Sequence, residues 1–250
     1  GFGADKLLKG YLWALVPVDN GELNRRVRSE VESALFWAYR SPAVEPGVYA
    51  CVDVGAGTTS ASWFRINTTK MGGVLVKDRL SFFGADCRPP GCDAIDDILF
   101  RNGKFVSRSD VRGEENRLIA KLRGNSRVDL SKVLEAIVDV FGNASSRAFE
   151  KNKSMKAWRD SGRVFLLGGG SKISTVRDAM LYRKRDWLKR DAVIEPGAPP
   201  DLFDADGTQF TDDCSFLLVA YGLAHRLADV PDVWTPQEVG DFAPRHERVK

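Results

Sequence analysis

Two short apolar segments of this sequence each run directly into a glycine-rich turn. Residues 48–52 are followed by Asp-Val-Gly-Ala-Gly-Thr-Thr at positions 53–59, and residues 163–167 are followed by Gly-Gly-Gly-Ser at positions 168–171. Glycine gives the main chain access to positive φ and lets a ligand approach the main-chain N–H groups, which in such a turn form an anion-binding concavity. The sequence therefore predicts an α/β chain in which two buried strands end at anion-binding turns.

The side chains of the first turn are those that a magnesium–nucleotide site uses. Thr58 and Thr59 supply hydroxyl donors, and Asp53 at the end of the predicted strand can hold a hydrated Mg²⁺, which prefers one or two carboxylates together with phosphate oxygens and water. Two other nucleotide motifs are excluded. No lysine follows Gly57 as a P-loop requires, and Ser60 stands where a dinucleotide-binding fingerprint has its third glycine.

Each turn also has a purely structural interpretation. Gly55 and Gly57 would form a tight hairpin turn, and residues 168–170 would let a helix pack close to a strand. The presence of both turns in one chain, each after an apolar strand, favours the nucleotide interpretation. The structural alternative stays open at this point.

Hydrophobic periodicity and turn residues predict the remaining elements. Helices are predicted over residues 5–16, 22–39, 93–100, 173–182 and 212–227, and a further helix opens at residues 129–131. Strands are predicted over residues 48–52, 60–66, 72–82, 163–167 and 193–194, with a turn-rich stretch over 84–91 and an extended polar tail from residue 229. The basic stretch at 183–190 is interpreted as a solvated helix face.

The composition excludes several classes of protein. Hydrophobic residues make up 43% and charged residues 28% of the 250 residues, which excludes a wholly disordered chain. We find no apolar run of the roughly 18 residues that a membrane span needs. Four cysteines without a Cys-x-x-Cys pair and only two histidines exclude a disulfide scaffold and a histidine-rich metal site. Because the cysteines do not form a disulfide scaffold, we expect a cytoplasmic protein. A net charge of +3 favours neither nucleic acid nor a membrane as partner.

Several segments together resemble the actin, heat-shock chaperone and sugar-kinase ATPase superfamily. Residues 49–60 look like its second phosphate loop, and residues 166–173, Leu-Leu-Gly-Gly-Gly-Ser-Lys-Ile, look like its adenosine loop. The flanking matches are the Ala-rich helix at 32–39, the Ala-Tyr-Gly-Leu-Ala stretch at 220–224 and, weakly, Gly-Cys-Asp at 91–93. The resemblance spans roughly residues 25–228 and is closest to the C-terminal lobe of the heat-shock chaperone nucleotide-binding domain.

The resemblance implies a role for each residue of the two turns. Asp53 would act near the metal and the attacking water, so that Asp53 and Thr58 are the predicted catalytic residues. The residues implied to wrap the β- and γ-phosphates of ATP or ADP are Gly55, Ala56, Gly57, Thr58 and Thr59. The residues implied to pass beneath the adenosine are Gly168, Gly169, Gly170 and Ser171, with Lys172 replacing an arginine that lies against the adenine. If the adenine-facing helix of the family is kept, Glu115, Lys121 and Arg123 are its candidates.

The resemblance also implies a fold and a domain organisation. We expect an actin-like, ribonuclease H-like lobe with a mixed sheet of about five strands flanked by helices. The lobe would comprise residues 1–69 and 151–228, with a smaller inserted subdomain at 70–150 and a tail at 229–250. No first phosphate loop precedes Glu22, so the chain looks like the C-terminal lobe of a two-lobed ATPase. Its partners would then be the nucleotide, an N-terminal lobe in cis or in trans, and a protein client or assembly partner.

Three functional hypotheses follow from the resemblance. The first is an ATP-binding lobe of a heat-shock-chaperone-like or actin-like ATPase. The second is a non-catalytic pseudo-ATPase that serves as a scaffold, which is favoured by Ser60, since the chaperones carry a second aspartate there. The third is a small-molecule kinase or phosphatase of the same superfamily, whose substrate pocket would lie in the other lobe.

Overall fold

The structure of the chain, a computed structural model, describes residues 14–16, 26–28, 30–102, 110–111, 113–122, 129–151, 163–183, 193–194, 199, 218–225 and 231–239. Its strands are β1 (Ala14–Val16), β2 (Arg26–Arg28), β3 (Gly47–Val54), β4 (Thr59–Met71), β5 (Val74–Arg88), β6 (Arg163–Leu167), β7 (Val193–Ile194) and β8 (Asp232–Trp234). Its helices are α1 (Glu30–Arg40), α2 (Asp93–Asn102), α3 (Glu115–Leu122), α4 (Ser131–Lys151), α5 (Ser174–Arg183) and α6 (Leu218–Ala224), and a 3₁₀ turn covers Gly169–Lys172.

Within the described part of the chain, six strands form one mixed sheet in the order β7-β6-β3-β4-β5-β8. Strands β3, β4 and β5 are an antiparallel meander, whereas β6 pairs in parallel with β3 and β7 pairs in parallel with β6. A short strand, β8, extends the other edge in parallel with β5. A meander followed by two parallel strands on the side of its first strand is the ribonuclease H-like arrangement. The predicted α/β fold with a mixed sheet is therefore confirmed, with β8 as an additional edge strand.

One face of the sheet, called here the α4 face, is covered by α4 together with α2 and α5. Trp63 of β4 stacks on Phe141 of α4 with ring centroids 5.8 Å apart. Its indole Nε1–H donates to the buried Ser145 hydroxyl over 2.9 Å, and that hydroxyl donates in turn to the Phe141 carbonyl oxygen over 2.7 Å. The long apolar helix predicted from residues 129–131 is thus placed flat on the sheet, where its apolar side is removed from water.

The opposite face, called here the α1 face, is covered by α1 and α6. Tyr49 of β3 stacks on Phe165 of β6 with centroids 5.2 Å apart, and Trp37 of α1 meets the Phe165 ring edge-on at 5.7 Å. Helix α6 packs directly on the main chain of α1, because a Cβ on Gly222 would lie 2.6 Å from the Ser33 carbonyl carbon. Aromatic side chains and one close helix–helix contact therefore close this face.

Two predictions for the N-terminal part of the chain are wrong. The helix predicted over 5–16 is a strand at its described end, Ala14–Val16, and the helix predicted over 22–39 begins only at Glu30. Strands β1 and β2 pair with each other, from Ala14 opposite Arg28 to Val16 opposite Arg26. Pairing between two segments overrides the local periodicity here. Residues 5–13 and 17–25 lie outside the described residues.

The turn predicted over residues 84–91 is wrong over its first half, because β5 continues to Arg88. Gly84 lies within the strand, where a Cβ would come 2.5 Å from the Ala148 nitrogen and 2.8 Å from the Ala144 carbonyl oxygen of α4. Its lack of a side chain lets the helix approach the sheet. A glycine that the sequence offers as a turn residue is therefore a packing residue.

The other predicted elements agree with the described structure. The predicted strands at 60–66, 163–167 and 193–194 correspond to β4, β6 and β7, and the predicted helices at 93–100 and 173–182 correspond to α2 and α5. Of the helix predicted over 212–227, residues 218–224 are helical as α6, and 212–217 and 226–227 lie outside the described residues, as does most of the basic stretch at 183–190. No described helix is long and apolar enough to cross a membrane.

The predicted division into a lobe, an inserted subdomain and a tail stays a prediction. Its boundary at residue 70 falls inside β4, and β5 pairs with β4 from Val74 to Arg88 in the main sheet. The predicted tail contributes β8 to the same sheet. Arg123 lies outside the described residues.

Candidate functional site

The two glycine-rich turns lie side by side at the carboxyl ends of two neighbouring strands. Strands β3 and β6 are parallel neighbours, with Asp53 opposite Leu167, so that their carboxyl ends coincide. A Cβ on Gly168 would collide with Oδ1 of Asp53 and would lie 2.6 Å from the carbonyl oxygen of Val54. In α/β sheets, ligands bind outside the carboxyl ends of such strands. The two turns that the sequence analysis paired are therefore in direct contact in the structure.

The first glycine loop, residues 55–58, connects β3 to β4. The Gly55 N–H donates to the Thr58 carbonyl oxygen over 3.0 Å, and the strands pair on both sides of the turn. The hairpin turn that was the structural alternative is thus the local geometry. Ala56 and Gly57 are exposed at its tip, and no atom lies within 4 Å of where a Gly57 Cβ would be. A hairpin tip with open space around it can still receive an anion on its N–H groups.

The segment before α2 supports the first glycine loop from behind. The Cys92 N–H donates to the Gly55 carbonyl oxygen over 2.8 Å, and the Asp93 N–H donates to the Ala56 carbonyl oxygen over 2.9 Å. The weak sequence match at 91–93 thus lies against the predicted phosphate loop. The Asp93 amide is the first of α2, where N–H groups lack partners within the helix, and the Cys92 amide directly precedes it.

Thr59 differs from the other predicted phosphate ligands. Its side chain is buried, and its hydroxyl donates to the Pro90 carbonyl oxygen over 2.7 Å. A hydroxyl has one hydrogen to donate, so this hydrogen is not available to a phosphate oxygen. Thr58 is half-buried at the turn itself. The geometry therefore assigns Thr59 to the support of the loop rather than to its exposed surface.

The second glycine loop, residues 168–172, connects β6 to α5. Gly168 has φ of 76°, a left-handed conformation that favours glycine, and Gly170 packs against the Val54 side chain. The Ser171 hydroxyl and N–H both donate to the Gly168 carbonyl oxygen, over 2.7 and 3.1 Å. Gly169 and Lys172 are exposed. The loop therefore has one side packed on the end of β3 and the other side open.

Asn116 of α3, which sequence reasoning missed, holds the end of the second glycine loop. Its side-chain Nδ2 donates to the Lys172 carbonyl oxygen over 2.7 Å, and its Oδ1 accepts from the N–H and the hydroxyl of Ser174 over 2.7 and 2.9 Å. The neighbouring candidate, Glu115, instead accepts the Gly113 N–H over 2.9 Å within its own segment, and Lys121 is exposed. No local pattern marks a side chain that caps a helix distant in sequence.

Asp53 is the carboxylate at the junction of the two loops. It is half-buried at the end of β3 on the α1 face, in register with Ser60. Burial, and then the negative charge of Asp53, raise the pKa of the Cys51 thiol two residues earlier. No group of three or more His, Cys, Asp or Glu side chains in the described part of the chain could hold a metal ion by itself. A single carboxylate fits a Mg²⁺ ion that takes its other ligands from phosphate and water.

No protein-family model and no curated protein matches this sequence. Solved structures similar to the chain include a PilM–PilN type IV pilus biogenesis complex, at 19% identity and a TM-score of 0.44 over 82% of this chain and 53% of that one. They also include apo pSK41 ParM, at 13% identity and a TM-score of 0.38 over 78% of this chain and 46% of that one. An Alp12 filament structure is similar at 15% identity and a TM-score of 0.40, over 87% of this chain and 59% of that one. The chain thus spans about half the length of these proteins.

Proposed function

We propose that this chain is a nucleotide-binding lobe of an actin-like ATPase and binds Mg-ATP and Mg-ADP at the carboxyl edge of β3 and β6. The observation that carries the proposal is the contact between the two glycine loops, where Gly168 leaves room for Oδ1 of Asp53. Two loops with exposed main chain, at residues 56–57 and at Gly169, and one carboxylate then share the carboxyl end of β3 and β6 in a ribonuclease H-like sheet.

Each part of the edge has a distinct task in this proposal. The exposed main chain of Ala56 and Gly57, with Thr58, would bind the β- and γ-phosphates. The exposed side of the second glycine loop, with Lys172, would lie against the adenosine. Asp53 would accept hydrogen bonds from metal-bound water and from the attacking water. Mg²⁺, when bound, supplies positive charge that offsets the charge of the phosphates. Catalysis of phosphoryl transfer needs such positioning and charge stabilisation rather than a covalent protein intermediate.

The finer assignment, to a lobe like the C-terminal one of the heat-shock chaperones, is also a proposal. It is supported by the order of the matching segments along the chain and by the contact of Gly222 in the Ala-Tyr-Gly motif with α1. It requires an N-terminal lobe, in cis or in trans, to complete the nucleotide site. A protein client or assembly partner of the complete ATPase remains an expectation of the resemblance.

One observation favours the second hypothesis, a pseudo-ATPase. Ser60 lies directly opposite Asp53 in the β3–β4 ladder, so the position next to the proposed metal carboxylate has no second acid. With one carboxylate, the site would bind Mg-nucleotide and hydrolyse it slowly or not at all. Phosphate release measured with the second lobe present separates the two, because the pseudo-ATPase releases none.

The first test is calorimetric titration of this chain with Mg-ADP and with ADP in EDTA. We expect binding in the micromolar to millimolar range for a site that lacks its second lobe, and weaker binding in EDTA. Asp53→Asn should abolish the effect of Mg²⁺, because the carboxylate that holds the ion is gone. The matched control is Asp232→Asn, which removes an exposed carboxylate from the far edge strand β8. Absence of binding, or a magnesium effect that survives Asp53→Asn, would contradict the proposal.

A further inference from the structure

Two main-chain hydrogen bonds behind the first glycine loop fix the direction in which its N–H groups point. A peptide unit is planar and trans, so the carbonyl of one residue and the N–H of the next point in opposite directions. The Gly55 and Ala56 carbonyls are held by the N–H groups of Cys92 and Asp93. The N–H groups of Ala56 and Gly57, which belong to the same two peptide units, therefore point away from α2 and towards the open side of the loop.

Gly91 is the residue that makes this arrangement fit. A Cβ on Gly91 would collide with the carbonyl oxygens of both Gly55 and Ala56 and would lie 2.6 Å from the Ala56 carbonyl carbon. The atoms in the way are main chain, so no side chain can rotate to make room. Any residue other than glycine would push the loop away from the amides of Cys92 and Asp93.

The support is fixed to the core on its other side. Ile95 and Leu99 of α2 are fully buried on the α4 face, so the start of α2 cannot follow a displaced loop without disturbing the core. The Thr59 hydroxyl adds a third tie through the Pro90 carbonyl oxygen, 2.7 Å away. The loop is thus held in one orientation before any ligand arrives, which lowers the cost of ordering it on binding.

We infer that Gly91 is a positioning residue for the phosphate groups of the bound nucleotide, acting through the main chain of residues 55–57, with Thr59 in the same role. This inference rests on the proposed nucleotide site. Neither residue presents a group to the ligand, since Gly91 has no side chain and the Thr59 hydroxyl is buried. A defect here affects recognition of phosphates and leaves the second glycine loop, with its contacts to Asn116, as it is.

The test compares Mg-ADP with adenosine as calorimetric ligands of the full chain. For Gly91→Ala we expect the affinity for Mg-ADP to fall about tenfold or more, with the affinity for adenosine within about twofold of the unsubstituted chain. Thr59→Val should lower the Mg-ADP affinity by about threefold, and Thr59→Ser, which restores the hydroxyl, should recover it. The matched control is Gly47→Ala at the opposite end of β3, where the new methyl group would make only ordinary contact with Tyr49 at 3.6 Å.

The outcomes separate the two proposals. Unchanged Mg-ADP affinity in Gly91→Ala, or an equal loss for both ligands, overturns the positioning role and leaves nucleotide binding intact. If the unsubstituted chain binds neither ligand, the nucleotide site itself is refuted and the positioning role falls with it. If Gly91→Ala does not fold, as judged by circular dichroism, the test uses Thr59→Val and Thr59→Ser instead. The quantity compared is again the change in Mg-ADP affinity relative to the change in adenosine affinity.

Discussion

The two glycine loops look alike in sequence but are held in place by different means. The first glycine loop is supported through its carbonyl oxygens by the amides of Cys92 and Asp93 at the start of α2, and no atom lies within 4 Å of where a Gly57 Cβ would be. The second glycine loop is held by its own backbone conformation at Gly168, by packing of Gly170 on Val54, and by the Asn116 side chain. Similar glycine runs thus leave an open tip in the first glycine loop and pack closely on β3 in the second.

The largest effect should come from Gly168→Ala. The alanine would have to adopt the left-handed backbone conformation of Gly168, and its methyl group would have to displace Asp53 and Val54. We expect the free energy of unfolding to fall by about 2–4 kcal/mol, as measured by urea denaturation. Gly169→Ala, next to it with open space around the position, should change it by less than about 1 kcal/mol. Equal effects of the two changes would mean that the close packing of Gly168 on Asp53 and Val54 does not hold the second glycine loop.

A smaller effect should come from Asn116→Ala, which leaves the first residues of α5 without their cap. We expect a loss of about 1 kcal/mol in unfolding free energy and a several-fold weaker affinity for adenosine, with the affinity for Mg-pyrophosphate unchanged. Asn116→Asp keeps the acceptor for Ser174 and loses the donor to Lys172. Its unfolding free energy and adenosine affinity should therefore lie between those of Asn116→Ala and the unsubstituted chain. Arg117→Ala, an exposed neighbour, is the control. An equal loss for adenosine and pyrophosphate would show that the loops are not supported separately.

The smallest effect should come from Ser171→Ala. Its hydroxyl donates to the Gly168 carbonyl oxygen, but the Ser171 N–H donates to the same atom, so one tie remains. We expect a loss of about 0.5–1 kcal/mol by urea denaturation. Ser146→Ala, which removes an exposed hydroxyl bonded to a carbonyl oxygen within α4, is the comparison. A loss as large as that of Gly168→Ala would show that the hydroxyl, rather than the glycine, holds the second glycine loop.

The elements that could be predicted from the sequence are those determined by residues close together in the chain. An apolar run followed by glycines marks β3 and β6 with their loops, and the i, i+3, i+4 pattern marks α4. The length of β5 was missed because Gly84 looks the same in a sequence whether it turns the chain or admits a helix.

The supports of the site could not be predicted, because they join distant segments. Thr59 was assigned to phosphate, but its hydroxyl donates to Pro90, and Asn116 caps a helix that follows much later in the chain. Nothing in the local sequence marks such partners. The two glycine loops could thus be predicted from the sequence, whereas the residues that hold them in place required the fold.

The contact between Gly222 and Ser33 has a consequence for how the chain is made. Helix α1 leaves the ribosome long before α6, so Phe36 lacks its contact with Tyr221 of α6 until the later segment is made. The α4 face receives its helices earlier in the chain. A chain stopped before residue 218 would leave the side of α1 that α6 covers open to water, and exposed apolar surface of this kind is where incomplete chains aggregate.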